Sequence, residues 1–121
     1  MKTGLVIYAG DLNRLLRFYQ TIFDFTVAEK ETSFAQLNSG EFELVLLETE
    51  RSKAIQESQV MPREESALKP TFFIEEQLQS ISEKIIAKGR QIKTPKDWKF
   101  NGRLVCDGWD CEGKIFQLRI S

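Results

Sequence analysis

Apolar residues open the chain as a short run at Leu5 to Ala9, and after Gly10-Asp11 they recur as Leu12, Leu15, Leu16, Tyr19, Ile22 and Phe23. The run predicts a strand, and the i, i+3, i+4, i+7 spacing predicts an amphipathic helix. Asp11 is placed to cap it, because its carboxylate can accept a free amide of the first turn. Thr26 to Glu31 and Phe34 to Asn38 alternate as strands, Asn38-Ser39-Gly40 makes a turn, and Phe42 to Glu48 is a strongly apolar strand. The first half therefore reads βαβββ.

Thr49 to Leu68 is polar, contains Pro62 and has no strand period, so it reads as a connector carrying at most a short helical turn. From Pro70 the pattern restarts. Thr71 to Ile74 is apolar, Leu78, Ile81 and Ile85 mark a helix face, and Gly89 suits a helix C-terminus. Leu12, Leu15 and Tyr19 fall on Leu78, Ile81 and Ile85 at a constant offset of 66. Arg90 to Lys93 is a weak strand and Arg103 to Asp107 a better one, and Asp110-Cys111-Glu112-Gly113 turns the chain into Lys114 to Ile120. Gly40-Glu41-Phe42-Glu43-Leu44 matches Gly113-Lys114-Ile115-Phe116-Gln117-Leu118 if one residue forms a bulge. The second half is again βαβββ, and internal duplication organises the chain. The expectation is an α+β chain, 1–121 as a single domain, with module one at 1–50, a connector at 51–68 and module two at 69–121.

At 121 residues, 41% hydrophobic and 29% charged, the chain can bury a real core and falls outside disordered and collagen-like compositions. No apolar run approaches the ~18 residues of a membrane span and no signal peptide is evident, so no membrane partner is expected and the expected location is cytoplasmic. Met1 to Leu68 holds 7 Lys/Arg against 11 Asp/Glu, while Lys69 to Ser121 holds 10 against 7. Seven basic residues and one acid, Asp97, lie between Lys84 and Arg103; this is either a solvated face or a patch that steers an anion. A pI near 5.6 and the absence of a recognition motif argue against nucleic acid. Cys106 and Cys111 stand five apart in a chain without histidine, which makes a poor zinc site.

The opening Leu5-Val6-Ile7-Tyr8-Ala9-Gly10-Asp11-Leu12, the helix Leu16-Arg17-Phe18-Tyr19 running into Phe23-Asp24-Phe25, and the closing Asp110-Cys111-Glu112-Gly113-Lys114-Ile115-Phe116-Gln117-Leu118 resemble the vicinal oxygen chelate superfamily of glyoxalases, bleomycin-resistance proteins and dioxygenases. The chain departs at Cys111, where Pro is common, and at Phe23-Asp24-Phe25, which lacks the usual Gly. The resemblance implies a curved mixed sheet around a small-molecule cavity, and a homodimer. In enzymes of the superfamily a divalent metal sits in that cavity. The resemblance puts Gly4 and, at the offset of 66, Pro70 at its usual ligand positions on the first strands, with Glu43 and Gln117 at those on the last strands. Gly and Pro offer no side-chain donor and Gln only a neutral oxygen, so no bound metal and no other cofactor is expected.

If Gln117 faces the cavity as the resemblance implies, strand alternation sends Ile115 and Arg119 there too, together with Val6, Tyr8, Glu43, Val45 and Leu47. Phe72 and Ile74 share the parity of Pro70 and are assigned to the same side. Trp98 and Phe100, on a basic loop, form either a stacking wall for a planar ligand or a cover over the cavity end or a dimer seam. Glu43 is either a proton acceptor or a structural carboxylate, and Cys106, with no histidine to activate it, is a packed strand residue rather than a nucleophile. The candidate ligand contacts are Val6, Tyr8, Glu43, Phe72, Trp98, Phe100, Gln117 and Arg119, and no catalytic set is legible. The expected function is metal-independent binding of an aromatic or cationic small molecule. The alternative is a glyoxalase-like lyase or isomerase, either metal-independent through Glu43 and Tyr8 or metal-dependent through ligands placed elsewhere.

Overall fold

The computed structural model describes the chain except residues 57–61, 63–65 and 91, and the side chains of 54–56. It contains two compact units, Met1–Val60 and Met61–Ser121. The first holds β1 (Thr3–Ala9), α1 (Leu12–Phe23), β2 (Thr26–Lys30), β3 (Phe34–Ser39), β4 (Phe42–Glu48) and α2 (Glu50–Gln56). The second holds β5 (Thr71–Ile74), α3 (Leu78–Ala87), β6 (Lys99–Phe100), β7 (Arg103–Trp109) and β8 (Ile115–Ile120). Strand order is β1-β4-β3-β2 in one sheet and β5-β8-β7-β6 in the other. In each, the first and last strands of the module pair in parallel and the other pairs are antiparallel. The α+β class and the repeated βαβββ order are therefore both present.

The core of unit one follows from the α1 stripe. Leu12, Leu15, Leu16, Phe18, Tyr19 and Ile22 are buried, as are Ile7, Ala9, Leu37, Leu44 and Leu46 on the strands. Burying each large apolar side chain stabilises by about 1.5–3 kcal/mol, so this stripe dominates the helix's own propensity. Asp11 Oδ1 accepts the Arg14 amide at 3.1 Å, the expected cap. At the other end Asp24, in the place usually held by Gly, adopts φ 57°, the left-handed conformation that ends a helix. The β4 carboxylate of Glu48 accepts the Leu12 amide at 3.2 Å and pairs with Lys53 of α2 at 3.1 Å, tying strand, helix start and connector together.

Unit two buries Ile81 and Ile85 of α3 with Phe116, Leu118 and Ile120 of β8. Leu78, the first residue of α3, was expected on the same buried stripe but is only half-buried. The strand expected at Arg90–Lys93 includes residue 91, outside the described residues. Of the rest, Ile92 makes an isolated bridge to Gly108, and Lys93 and Lys96 donate amides to Asp107 and Val105. Pro95 has no amide to extend such a ladder, and the regular edge strand forms instead at Lys99–Phe100. Gly108 is required by close packing: a Cβ there would meet the Phe116 ring at 2.8 Å and Ile92 Cγ2 at 3.2 Å.

The bulge expected near the final strand is absent, since β7 and β8 pair without a register shift from Trp109↔Ile115 to Leu104↔Ile120. The extra residue sits in the turn, where buried Asp110 accepts the amides of Glu112 and Lys114 at 2.8 and 3.1 Å and Gly113 takes φ 84°. The register shift among the described strands lies instead in β2, between Val27 and Glu29.

Candidate functional site

Each sheet has a face packed on its helix and an open face, and the candidate residues divide between the two. In unit one Val6 and Tyr8 are exposed on β1, while Ile7 and Ala9, which alternate with them, are buried, as alternation predicts. Glu43, Val45 and Leu47 of β4 are half-buried on the open side, alternating with the fully buried Leu44 and Leu46. Gly4 pairs directly with Glu43, and a Cβ on Gly4 would stand 3.1 Å from the Glu43 carbonyl oxygen. Glu43 Oε1 accepts from Gln36 Nε2 at 2.7 Å and lies 3.8 Å from Lys2 Nζ. Tyr8 is four residues along β1 from that pairing, about 13 Å at the rise of a strand, which argues against Glu43 and Tyr8 acting together on one substrate atom.

In unit two the register corrects the assignment made from the helix offset. Thr71 pairs with Gln117, Phe72 with Leu118, Phe73 with Arg119 and Ile74 with Ile120. The residue matching Gly4 is therefore Thr71, not Pro70, whose carbonyl accepts the Gln117 amide at 2.8 Å. Phe72 and Ile74 consequently belong to the helix-side face. Phe72 is 9% exposed and meets Phe116 edge-to-face at 5.9 Å, whereas Phe73 is 61% exposed on the open side. A one-residue slip in strand numbering moves every side chain to the opposite face.

The open face of unit two gathers Phe73, Phe100, Gln117, Arg119 and Asp107. Arg119 Nε donates to Gln117 Oε1 at 2.9 Å, and its guanidinium carbon lies 4.1 Å from the Phe100 ring centre and 5.7 Å from that of Phe73. Phe100 thus stands on a strand rather than a loop, against Arg119, while Trp98 is exposed at the bend before that strand and outside the cluster. Arg103 also approaches Phe73, at 5.5 Å, but it is committed to Glu75 Oε1 at 2.7 Å and to the Ile74 and Arg119 carbonyls. The Arg103 hydrogen bond and charge hold Glu75 below the ordinary carboxylate range. Asp107, opposite Gln117 in the β7–β8 ladder, is 6% exposed; its Oδ2 pairs with Lys69 Nζ at 3.0 Å and its Oδ1 has no hydrogen-bond partner. Phe73 and Asp107 escaped the sequence reading. Counting strand parity from Thr71↔Gln117 would have found Phe73.

Cys106 pairs with Leu118 on the helix side and is fully buried; burial first, and then the neighbouring Asp107 charge, push its thiol up to about 11. That is a packed residue and not an activated nucleophile. At the positions a chelated metal would use, unit one offers the Glu43 carboxylate, already bonded to an amide and faced by an ammonium. Unit two offers the Thr71 hydroxyl and a Gln117 oxygen engaged by a guanidinium. A cation of the chain lies near each, and no cluster of three His, Cys, Asp or Glu side chains occurs among the described residues. The donor set does not fit a divalent metal.

No helix among the described residues is long and apolar enough to cross a membrane. No curated protein sequence matches the chain. Its fold is similar to that of solved structures of low sequence identity. The E126Q mutant of the fosfomycin resistance protein FosX from Listeria monocytogenes, complexed with Mn(II) and 1S,2S-dihydroxypropylphosphonic acid, is 16% identical with TM-score 0.73, over 98% of this chain and 87% of that one. A glyoxalase/bleomycin resistance protein/dioxygenase family enzyme from Burkholderia phytofirmans PsJN is 17% identical with TM-score 0.73, over 97% and 95%. Lactoylglutathione lyase from Agrobacterium tumefaciens is 16% identical with TM-score 0.67, over 98% and 92%. The model of one family matches residues 4–108, from β1 into β7, and the chain belongs to that family, the Glyoxalase/Bleomycin resistance protein/Dioxygenase superfamily.

Proposed function

We propose that this chain binds a small molecule with an aromatic surface, without a metal ion and without turning it over. The observation that carries the reading is the Arg119–Gln117 pair: the oxygen at a family metal position is given to a guanidinium that is itself stacked on Phe100. A divalent ion there would have to displace a fixed positive charge and would gain only a neutral ligand. Exposed rings beside fixed polar groups are the usual make-up of a ligand site. The fosfomycin resistance neighbour, whose structure holds Mn(II), shares the fold, and this reading separates the present chain from it by its donor set. The homodimer implied by the family is part of the proposal, and a mass of 14.0 kDa that does not change with concentration in sedimentation would reject that part. Elemental analysis of purified protein and thermal melts with Mn(II), Zn(II), Mg(II) and a panel of aromatic compounds test the whole. The expected result is substoichiometric metal, no metal-induced stabilisation and stabilisation by at least one organic compound in the presence of EDTA. One bound equivalent of metal that the protein needs for ligand binding would overturn it.

A further inference from the structure

Three cations of the second unit have carboxylate partners: Lys69 is paired with Asp107, Arg103 with Glu75 and Lys114 with Glu112, at 3.0, 2.7 and 2.7 Å. Arg119 has no carboxylate partner among the described residues. Its contacts are the neutral Gln117 oxygen and two ring faces. A half-buried guanidinium is stabilised most by an anion, and planar carboxylates match its donor fork. Gln117 and the rings fix one edge and the faces of the guanidinium, so little side-chain freedom is lost when a ligand meets the remaining donors. On the same face of the sheet, Asp107 Oδ1 is a buried acceptor with no hydrogen-bond partner, a state that costs free energy until a donor arrives. Asp107 lies opposite Gln117, and Arg119 is the next open-face position along β8; such diagonal positions are about 7–8 Å apart. Long side chains at such positions can reach the two ends of one ring that carries an acid on one side and a hydroxyl on the other.

We propose that the open face of the second unit recognises an aromatic carboxylate bearing a hydrogen-bond donor: Arg119 holds the carboxylate, Asp107 Oδ1 accepts the donor, and the ligand's apolar body rests on Phe73 and Phe100. This deepens the metal-free binding reading and rests on it, and it replaces a cationic ligand with an anionic one. The nearest uncompensated charge is positive, so a cation would meet repulsion where an acid finds a partner.

Calorimetric titration of the full chain in EDTA is the test, with 3-hydroxybenzoate, 3-methoxybenzoate, cyclohexanecarboxylate and 3-hydroxybenzylamine as probes. 3-Hydroxybenzoate is expected to bind tightest, the methoxy and cyclohexyl acids several-fold more weakly, and the amine not measurably. Arg119→Gln should weaken the hydroxy acid by at least about tenfold, the value of a charge-assisted hydrogen bond. Asp107→Asn should abolish the preference for hydroxyl over methoxyl. Should either variant fail to fold, the wild-type Arg119 Nε–H resonance serves instead, and it should shift with 3-hydroxybenzoate and not with the amine. Equal binding of amine and acid, no saturation by any acid into the millimolar range, or an unchanged affinity in a folded Arg119→Gln variant overturns the proposal. If 3-hydroxybenzoate binds only after Mn(II) or Zn(II) is added, the metal-free reading fails. Binding in EDTA that ignores Arg119 removes the anion site alone.

Discussion

Two adjacent phenylalanines give the sharpest check on the face assignment, because β5 is too short for its own sequence pattern to fix it. Phe72 is nearly buried and packed edge-to-face on Phe116, which is itself fully buried, while Phe73 stands 61% exposed under two guanidinium groups. Phe72→Ala removes a buried ring and leaves a cavity next to Phe116, a change that costs about 3–5 kcal/mol. Phe73→Ala removes little buried area and at most two cation–π contacts, about 1 kcal/mol in all at so exposed a site. With a urea dependence of about 2 kcal/mol per molar, Phe72→Ala should lower the unfolding midpoint by about 1.5–2.5 M and Phe73→Ala by about 0.5 M or less. The comparison is made by urea denaturation followed by circular dichroism. Ligand titration then separates the two further, since Phe73→Ala should stay folded and lose affinity. A larger stability loss in Phe73→Ala than in Phe72→Ala would place the strand in the opposite register and remove Phe73 from the open face.

Asp24 holds φ 57° at the end of α1, so Asp24→Gly should raise unfolding free energy by about 0.5–1 kcal/mol in the same denaturation assay, and Asp24→Ala should not. Cys106, fully buried with its thiol raised from 9.0 to about 11, should resist a thiol reagent at pH 8 until denaturant is added. The sign for stability follows from the same shift: above pH 9 the unfolded chain loses this proton while the folded chain keeps it. Its contribution is therefore intact below pH 9 and falls by about 2–3 kcal/mol between pH 9 and 11. A Cys106→Ala variant with the same alkaline stability loss as the wild type would show that another group is responsible.

The duplication was legible because it rests on local periodicity. Helices α1 and α3 and strands β4 and β5 follow from apolar spacing and turn residues within a few positions, and their bounds agree with the expectation to within a residue or so. The positions that define the site rest on pairing between distant segments, and there an alignment taken from the helices is one residue out. Ile7 precedes Leu12 by five residues in the first module, while Ile74, its counterpart by strand pairing, precedes Leu78 by four in the second. The helices therefore match at an offset of 66 and the strands at 67. On a helix one position is a turn of about 100°, which an apolar stripe tolerates; on a strand it is a change of face. The shortened connection thus leaves the core pattern readable while it exchanges Phe72 for Phe73 and Pro70 for Thr71. Asp107 was hidden for a different reason: in Val105-Cys106-Asp107-Gly108 every residue is buried, so no alternation separates the helix side from the open side. Only its pairing with Gln117 assigns the carboxylate to the face that holds Arg119.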